Sequence, residues 1–241
     1  MRDELAGRGV DVSRSVTRDA PNRFAVILLD RSLGERIVLW DRDARLALQA
    51  SELSPAALSG ARLIHVDDED QEAAIRAAAV GREMGVPVTS DIERMTDRTE
   101  QLVAAVTIPI FAEHALQELT GETDFERGLR KLRRTLDGLP RAESRGLPRA
   151  ESRGLLCVTL GARGAMLLDG DTLHHEPART VTVVDNTGAG DVFRGAFIYA
   201  LLRGDAPAEI LRFANAAAAI SCTRVGAITS VPSLTDIDDR T

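Results

Sequence analysis

Lysine is almost missing from this chain. Lys131 is the only one, so nearly all positive charge is carried by arginine, and the usual amine for a Schiff base or covalent nucleophile is excluded from most of the sequence. Cysteine is scarce as well: Cys157 and Cys222 lie in apolar surroundings at no metal-ligand spacing. They read as reduced core thiols of a cytoplasmic protein rather than as a disulfide framework. No apolar run approaches the length of a transmembrane helix, and the opening M-R-D-E-L-A-G-R-G-V lacks the apolar centre of a secretory signal, so no membrane partner is expected. An excess of basic charge is also lacking. The 30 basic and 37 acidic residues leave a net charge of −7, which argues against nucleic acid as the partner.

What is present suits a folded domain. The 241 residues are 44% hydrophobic, enough to bury a substantial core. After a short amphipathic helix, the apolar runs at 24–30 and 36–40 read as a β-hairpin spanning 23–40. Strands follow at 62–66, 85–90, 107–111, 155–160, 165–168 and 180–184, and helices at 71–84, 97–105, 113–119, 125–136, 192–202 and 208–221. Strands alternating with helices at this spacing predict one α/β domain over 1–241, a mostly parallel sheet with helices on both faces. The hairpin falls outside that alternation and reads as a small antiparallel element beside the sheet, either a lid or a dimer contact. Within 138–153 the octapeptide G-L-P-R-A-E-S-R occurs twice in succession. Too short for a solenoid and carrying a proline in each copy, it reads as a duplication in a surface loop with no assigned function.

The chemistry concentrates at 183–197, V-V-D-N-T-G-A-G-D-V-F-R-G-A-F. If the preceding strand is parallel, its C-terminal end opens into the crevice where such sheets bind ligands. Glycines at 188 and 190 let the backbone bring N–H groups close to an anion, and the following helix points its positive end at the same place. Asp191 then has two readings, a cap for that helix or a general base beside a phosphate cradle. The loop is not a P-loop, because no G-K-[ST] follows. Nor is there a G-x-G-x-x-G after an early strand, which disfavours a dinucleotide-dependent oxidoreductase.

This stretch resembles the C-terminal signature D-T-x-G-A-G-D-x-F of the ribokinase-like (PfkB-type) carbohydrate kinases. V-T-L-G-A-R-G-A-M-L-L at 158–168 is similar to the family's nucleotide-flanking segment. L-R-F-A-N-A-A-A-A-I at 211–220 resembles its helix near the adenine, and T-R-V-G-A-I-T-S-V-P at 223–232 its closing loop. I-F-A-E-H-A-L-Q-E-L-T-G at 110–121 resembles the segment written N-E-x-E-A-x-x-L-T-G, and the hairpin resembles the lid. The resemblance implies a three-layer α/β/α fold with a small β lid. It implies an ATP- and Mg²⁺-dependent kinase acting on a small-molecule sugar, in the cytoplasm, with a homodimer contact through the lid as one use of the hairpin. Asp191 would be the base, and Gly188, Ala189 and Gly190 the anion hole. Thr159, Gly161, Gly164 and Asn215 would line the nucleotide, and Glu113 would help place Mg²⁺ through water. Asp185, Thr187, Ser221, Arg224, Gly226 and Ser230 would surround a monovalent cation such as K⁺. Asp67 falls where a polar residue often meets the sugar, although D-D-E-D at 67–70 reads more readily as a solvated acidic helix start. Asn215 and Ser230 have plain readings too, as a helix-surface amide and a turn residue. The four histidines, His65, His114, His174 and His175, read as structural or surface residues.

The chain departs from the pattern in places. Ala112 stands for the Asn of N-E-x-E, Ala115 for its second Glu and Asn186 for the first Thr after Asp185. Nothing in residues 1–60 resembles the family's opening strand, early Asp and sugar-binding G-G-x-x-x-N. On the resemblance, roughly the first quarter of the domain, including inner strands of the sheet, is expected to be missing. Two functions of different class follow: a sugar kinase, or a catalytically inactive truncated remnant or pseudokinase that binds nucleotide or a partner chain.

Overall fold

The computed structural model describes residues 2–29, 36–138 and 154–238, in two compact units, 1–52 and 53–241. The second copy of the octapeptide, all but the first residue of the first copy, and the hairpin turn at 30–35 lie outside the described residues. In the first unit, helix α1 (Arg2–Gly7) precedes strands β1 (Phe24–Leu29) and β2 (Arg36–Asp41). The two strands pair antiparallel, with Phe24 opposite Asp41 and Val26 opposite Leu39, as the hairpin reading expects. Alternation places Phe24, Val26, Leu28 and Leu39 on one face, and all four are exposed. An ion pair between Arg18 and Glu52 and the capping of Arg45 N–H by Asp43 brace the rest of this unit.

The second unit is a six-stranded sheet ordered β3 (Ile64–Val66), β4 (Val88–Ile92), β5 (Ile108–Ala112), β6 (Leu156–Thr159), β7 (Ala165–Asp169) and β8 (Thr172–Glu176). The first four are parallel and the last two antiparallel. Helices α2 (Gln71–Met84), α3 (Thr99–Ala105), α4 (Glu113–Thr120) and α5 (Phe125–Asp137) occupy the crossovers, and α6 (Ala189–Arg203), α7 (Pro207–Ser221) and α8 (Leu234–Asp238) follow the sheet.

Strand alternation separates two cores. Phe111, Leu156, Val158 and Leu168 point to one side and pack with α2 to α5, through Ala74, Leu102, Leu116 and Leu129. Ile108, Ile110, Cys157 and Leu167 point to the other and pack with α6 and α7, through Phe197, Ala200, Leu211 and Ala217. Apolar strands buried on both faces therefore produce the three-layer α/β/α architecture. Helix α2 lies close to the sheet because its buried face is built from Ala73, Ala74, Ala77, Ala78 and Gly81 at helical spacing.

One strand assignment needs correction. Residues 180–184 form no strand; Val183 and Val184 are exposed and unpaired in any sheet. The sheet edge is supplied instead by β8, which pairs with β7. The T-V-T-V-V run has strand propensity, but the end of it is held elsewhere, Val184 N–H donating to Cys222 O at the end of α7.

Candidate active site

Parallel strands β3 to β6 all run in one direction, so their C-terminal ends collect residues from distant parts of the sequence at one rim. Asp67 and Asp68 follow β3, Asp91 and Glu93 close β4, Glu113 follows β5, and Thr159 and Gly161 close β6. The start of α6 reaches this rim from an irregular segment, not from the end of a parallel strand.

The G-A-G-D loop is held by hydrogen bonds that do not depend on strand pairing. Val184 N–H and Asp185 N–H both donate to Cys222 O, at 2.8 and 3.2 Å. The Asp185 carboxylate accepts from Thr187 N–H through Oδ1 and from Gly226 N–H through Oδ2, each at 2.9 Å. Gly188 takes φ of 78°, and a Cβ there would lie 2.9 Å from Ala227 Cβ, so the loop can pack on 226–230 only with glycine at that position.

The first turn of α6 leaves backbone donors unused, as helix starts do. Ala189 N–H donates to Asn186 O at 3.2 Å, so it is engaged. Among the described residues, the N–H groups of Gly188, Gly190 and Asp191 have no acceptor. Gly188 occupies the N-cap, and no side chain caps the helix. The Asp191 side chain is exposed and makes no hydrogen bond or ion pair among the described residues. A free carboxylate thus sits in the same turn as three free N–H donors, at the positive end of a 15-residue helix.

Below this turn lies a charge cluster that leaves no pattern in the sequence. Arg194, one turn along α6, is buried with its side chain 4% exposed and is ion-paired through Nη2 with Asp91 and, at 3.1 Å, with Glu93. Burial pushes the Asp91 carboxyl up to about 7 against the pull of Arg194, with Glu93, Asp68 and Asp191 adding to the rise. Asp68 is buried too, accepting from Glu93 N–H at 2.7 Å and Arg94 N–H at 2.5 Å. His114 Nε2 lies 2.6 Å from Glu93 O and ties the same turn to α4. The neighbouring Asp67 is exposed and accepts from Glu69 N–H at 3.1 Å, closing a local turn before α2.

Across the rim, Thr159 Oγ1 donates to Phe111 O at 3.2 Å. A 3-10 turn, Gly161–Arg163, joins β6 to β7. Gly164 closes that turn with φ of 88°, and a Cβ on it would stand 2.0 Å from Glu176 O. Asn215 is buried rather than on the helix surface, its amide donating to Glu176 O at 2.8 Å and fixing α7 against β8. Glu113 is ion-paired with Arg163. Ala115, where a second acid was expected, is fully buried in the core.

The residues assigned to a monovalent cation are brought together in part. Asp185, Thr187 and Gly226 are joined directly through the Asp185 carboxylate, and Ser221 and Ser230 are buried close to the same loop in sequence. The side chains of Ser221 and Arg224 turn elsewhere, toward Ala218 O and Asp236. Carboxylate, hydroxyl and carbonyl oxygens make up the set, the donor chemistry that suits a hard cation. Among the described residues, no group of three or more His, Cys, Asp and Glu side chains could hold a metal ion, and no helix is long and apolar enough to cross a membrane.

Comparison with known proteins agrees with this arrangement. The profile of the pfkB family carbohydrate kinases matches residues 1–234. A ribokinase of Arabidopsis thaliana is 28% identical over 239 residues, covering 96% of this chain and 60% of the relative. A ribokinase of Lactococcus lactis is 40% identical over 82 residues, 34% of this chain and 27% of the relative. The chain therefore spans less than two thirds of these relatives' length. Among solved structures, an Agrobacterium tumefaciens protein assigned to the ribokinases superposes with a TM-score of 0.83 at 26% identity, covering 98% of this chain and 73% of its own. The Arabidopsis thaliana ribokinase complexed with ribose and ATP gives 0.73 at 25% identity, over 92% and 69%. With the fold, the loop and the family profile in agreement, this chain belongs to the pfkB family of carbohydrate kinases.

Proposed function

We propose that the chain transfers the γ-phosphoryl group of ATP to a hydroxyl of a small sugar. The observation that carries this reading is the first turn of α6, where the unengaged Asp191 carboxylate accompanies the free N–H groups of Gly188, Gly190 and Asp191. Asp191 accepts the proton of the attacking hydroxyl, and the N–H groups stabilise the charge spreading over the transferred phosphoryl group. Ala189 shapes the cradle rather than donating to it. Thr159, Gly161 and Gly164 line the nucleotide, and Asn215 supports that wall. Glu113 would help hold Mg²⁺ through water, and the metal would supply charge to neutralise the nucleotide phosphates. Asp185, Thr187, Ser221, Arg224, Gly226 and Ser230 would frame a K⁺ site, the cation adding positive charge near the cradle, and Asp67 is offered to the sugar. The exposed apolar face of the hairpin supports a homodimer contact.

ADP release over a panel of pentoses and hexoses tests this, with wild type beside Asp191→Ala. Wild type should turn over at least one sugar, and the variant should lose roughly 10²–10⁴-fold in rate. If wild type runs no faster than Asp191→Ala on any sugar, transfer is refuted. The second reading, a chain that binds nucleotide without transferring phosphate, is favoured by the Glu113–Arg163 pair, which occupies the acid that Mg²⁺ placement needs. Nucleotide binding without turnover would establish it.

A further inference from the structure

Arg194 is unusual for a helix residue one turn from an exposed loop. Its guanidinium is buried among carboxylates from other elements, Asp91 and Glu93 at the end of β4. Nη2 meets both acids. Nε is buried with no hydrogen-bond partner among the described residues. Nη1 lies against the cradle itself: a Cβ placed on Gly190 would be 2.5 Å from it, so a larger residue there would push the guanidinium aside.

Buried cations are costly unless their charge is used or fully paired. Here one edge of the guanidinium is clamped and the other touches the loop that carries the unengaged N–H groups. From this geometry we infer that Arg194 is a positioning residue of the phosphate cradle: clamped by Asp91 and Glu93, it sets a fixed positive charge beneath Gly190 and makes the cradle prefer a highly charged phosphoryl group. The inference rests on the phosphate reading of the G-A-G-D loop and adds a second source of positive potential to the helix dipole. The edge turned to Gly190 is Nη1, not the Nη2 held by Asp91 and Glu93, so a phosphate in the cradle would meet the cation before its counter-ions, with little screening by solvent. The alternative role is purely structural, an ion pair that fastens α6 to β4.

The two roles separate by ligand charge. Calorimetry on the full chain with Mg²⁺ compares ATP with adenosine for wild type, Arg194→Met and Arg194→Lys. The positioning role predicts that Arg194→Met weakens ATP by roughly tenfold while leaving adenosine within about twofold, and that Arg194→Lys, keeping the charge, recovers most of the difference. A structural fastening would move ATP and adenosine together in both variants, and that result overturns the inference. So does an Arg194→Met chain that binds ATP like wild type. Should circular dichroism show Arg194→Met unfolded, the same comparison is read on Arg194→Gln, which keeps hydrogen bonding without charge. Wild type that binds neither ATP nor inorganic phosphate refutes the phosphate reading and this inference together, whereas wild-type binding with no ligand selectivity in the variants refutes only the inference.

Discussion

The carboxylate of Glu113, in the first turn of α4, is ion-paired with the guanidinium of Arg163, from the turn between β6 and β7. Arg163 is held there by the Phe125 ring, 5.0 Å from its guanidinium carbon, and by His175 Nε2 at 3.1 Å from its carbonyl oxygen. Both charges are largely solvated, so the pair contributes no more than ~1 kcal/mol to folding. Its effect falls on metal use instead. Arg163→Ala should leave stability almost unchanged while releasing Glu113, lowering the Mg²⁺ concentration for half-maximal rate by roughly threefold. Rate against Mg²⁺ checks this, and an unchanged or raised requirement would refute it.

Two glycines separate backbone strain from crowding. Gly164 and Gly170 both have positive φ, 88° and 58°, but a Cβ at Gly164 meets Glu176 O at 2.0 Å while Gly170 faces open space. Gly170→Ala should cost about 1 kcal/mol from conformation alone. Gly164→Ala adds a clash with backbone that is itself tied to Asn215, and should cost ~3 kcal/mol or more. Urea unfolding of both variants tests the contrast; equal losses would mean the β8 end yields freely.

Asp91 makes stability depend on pH in a specific direction. Its folded pKa is raised from 3.8 to about 7 by burial, with Glu93, Asp68 and Asp191 reinforcing and Arg194 opposing. The folded state therefore holds the proton more tightly than the unfolded chain. The stability this contributes is fully present below pH 3.8 and is lost as pH rises through about 7. The slope attributable to this group is at most ~1.4 kcal/mol per pH unit. Asp91→Asn should flatten the fall between pH 4.5 and 7.5, whatever it does to absolute stability by removing a partner of Arg194. Parallel unfolding profiles for wild type and variant would count against a raised Asp91.

Much of the sheet was legible because its strands are buried on both faces and its helices carry small or apolar residues at regular spacing. Helix α2 begins and ends where the sequence suggests, at Gln71 and Met84. The T-V-T-V-V run misled because strand propensity is local, whereas its backbone finds a tertiary partner instead, Cys222 O. The D-D-E-D segment hides a different distinction: Asp68 is drawn inward beside the exposed Asp67, and only the distant turn at 93–94 decides that. Arg194 and Glu93 are 101 positions apart, and each reads alone as an ordinary surface charge. Long-range electrostatic partners leave no periodicity to detect, so the loop could be recognised while the charge beneath it could not.

The hairpin supplies the fourth expectation. Phe24, Val26, Leu28 and Leu39 present an exposed apolar face on a two-stranded ribbon, a surface suited to covering by a second copy. Leu39→Lys together with Val26→Asp should shift sedimentation toward monomer without changing the circular dichroism of the remaining chain. An unaltered sedimentation profile, whether monomer or dimer, would show that this face does not mediate self-association.

Asp185 has a consequence for anyone who recombines these segments. One carboxylate fastens both the residue that leads into the cradle and the backbone of Gly226, so the two stretches share a rivet. A chimera that imports residues 221–232 from a relative inherits half of that joint and must find Asp185 waiting in the host. Swapped separately, the stretches would each lose the anchor that sets their separation. Swapped as a pair, they travel as one cassette, although α6 and α7 lie between them in the chain.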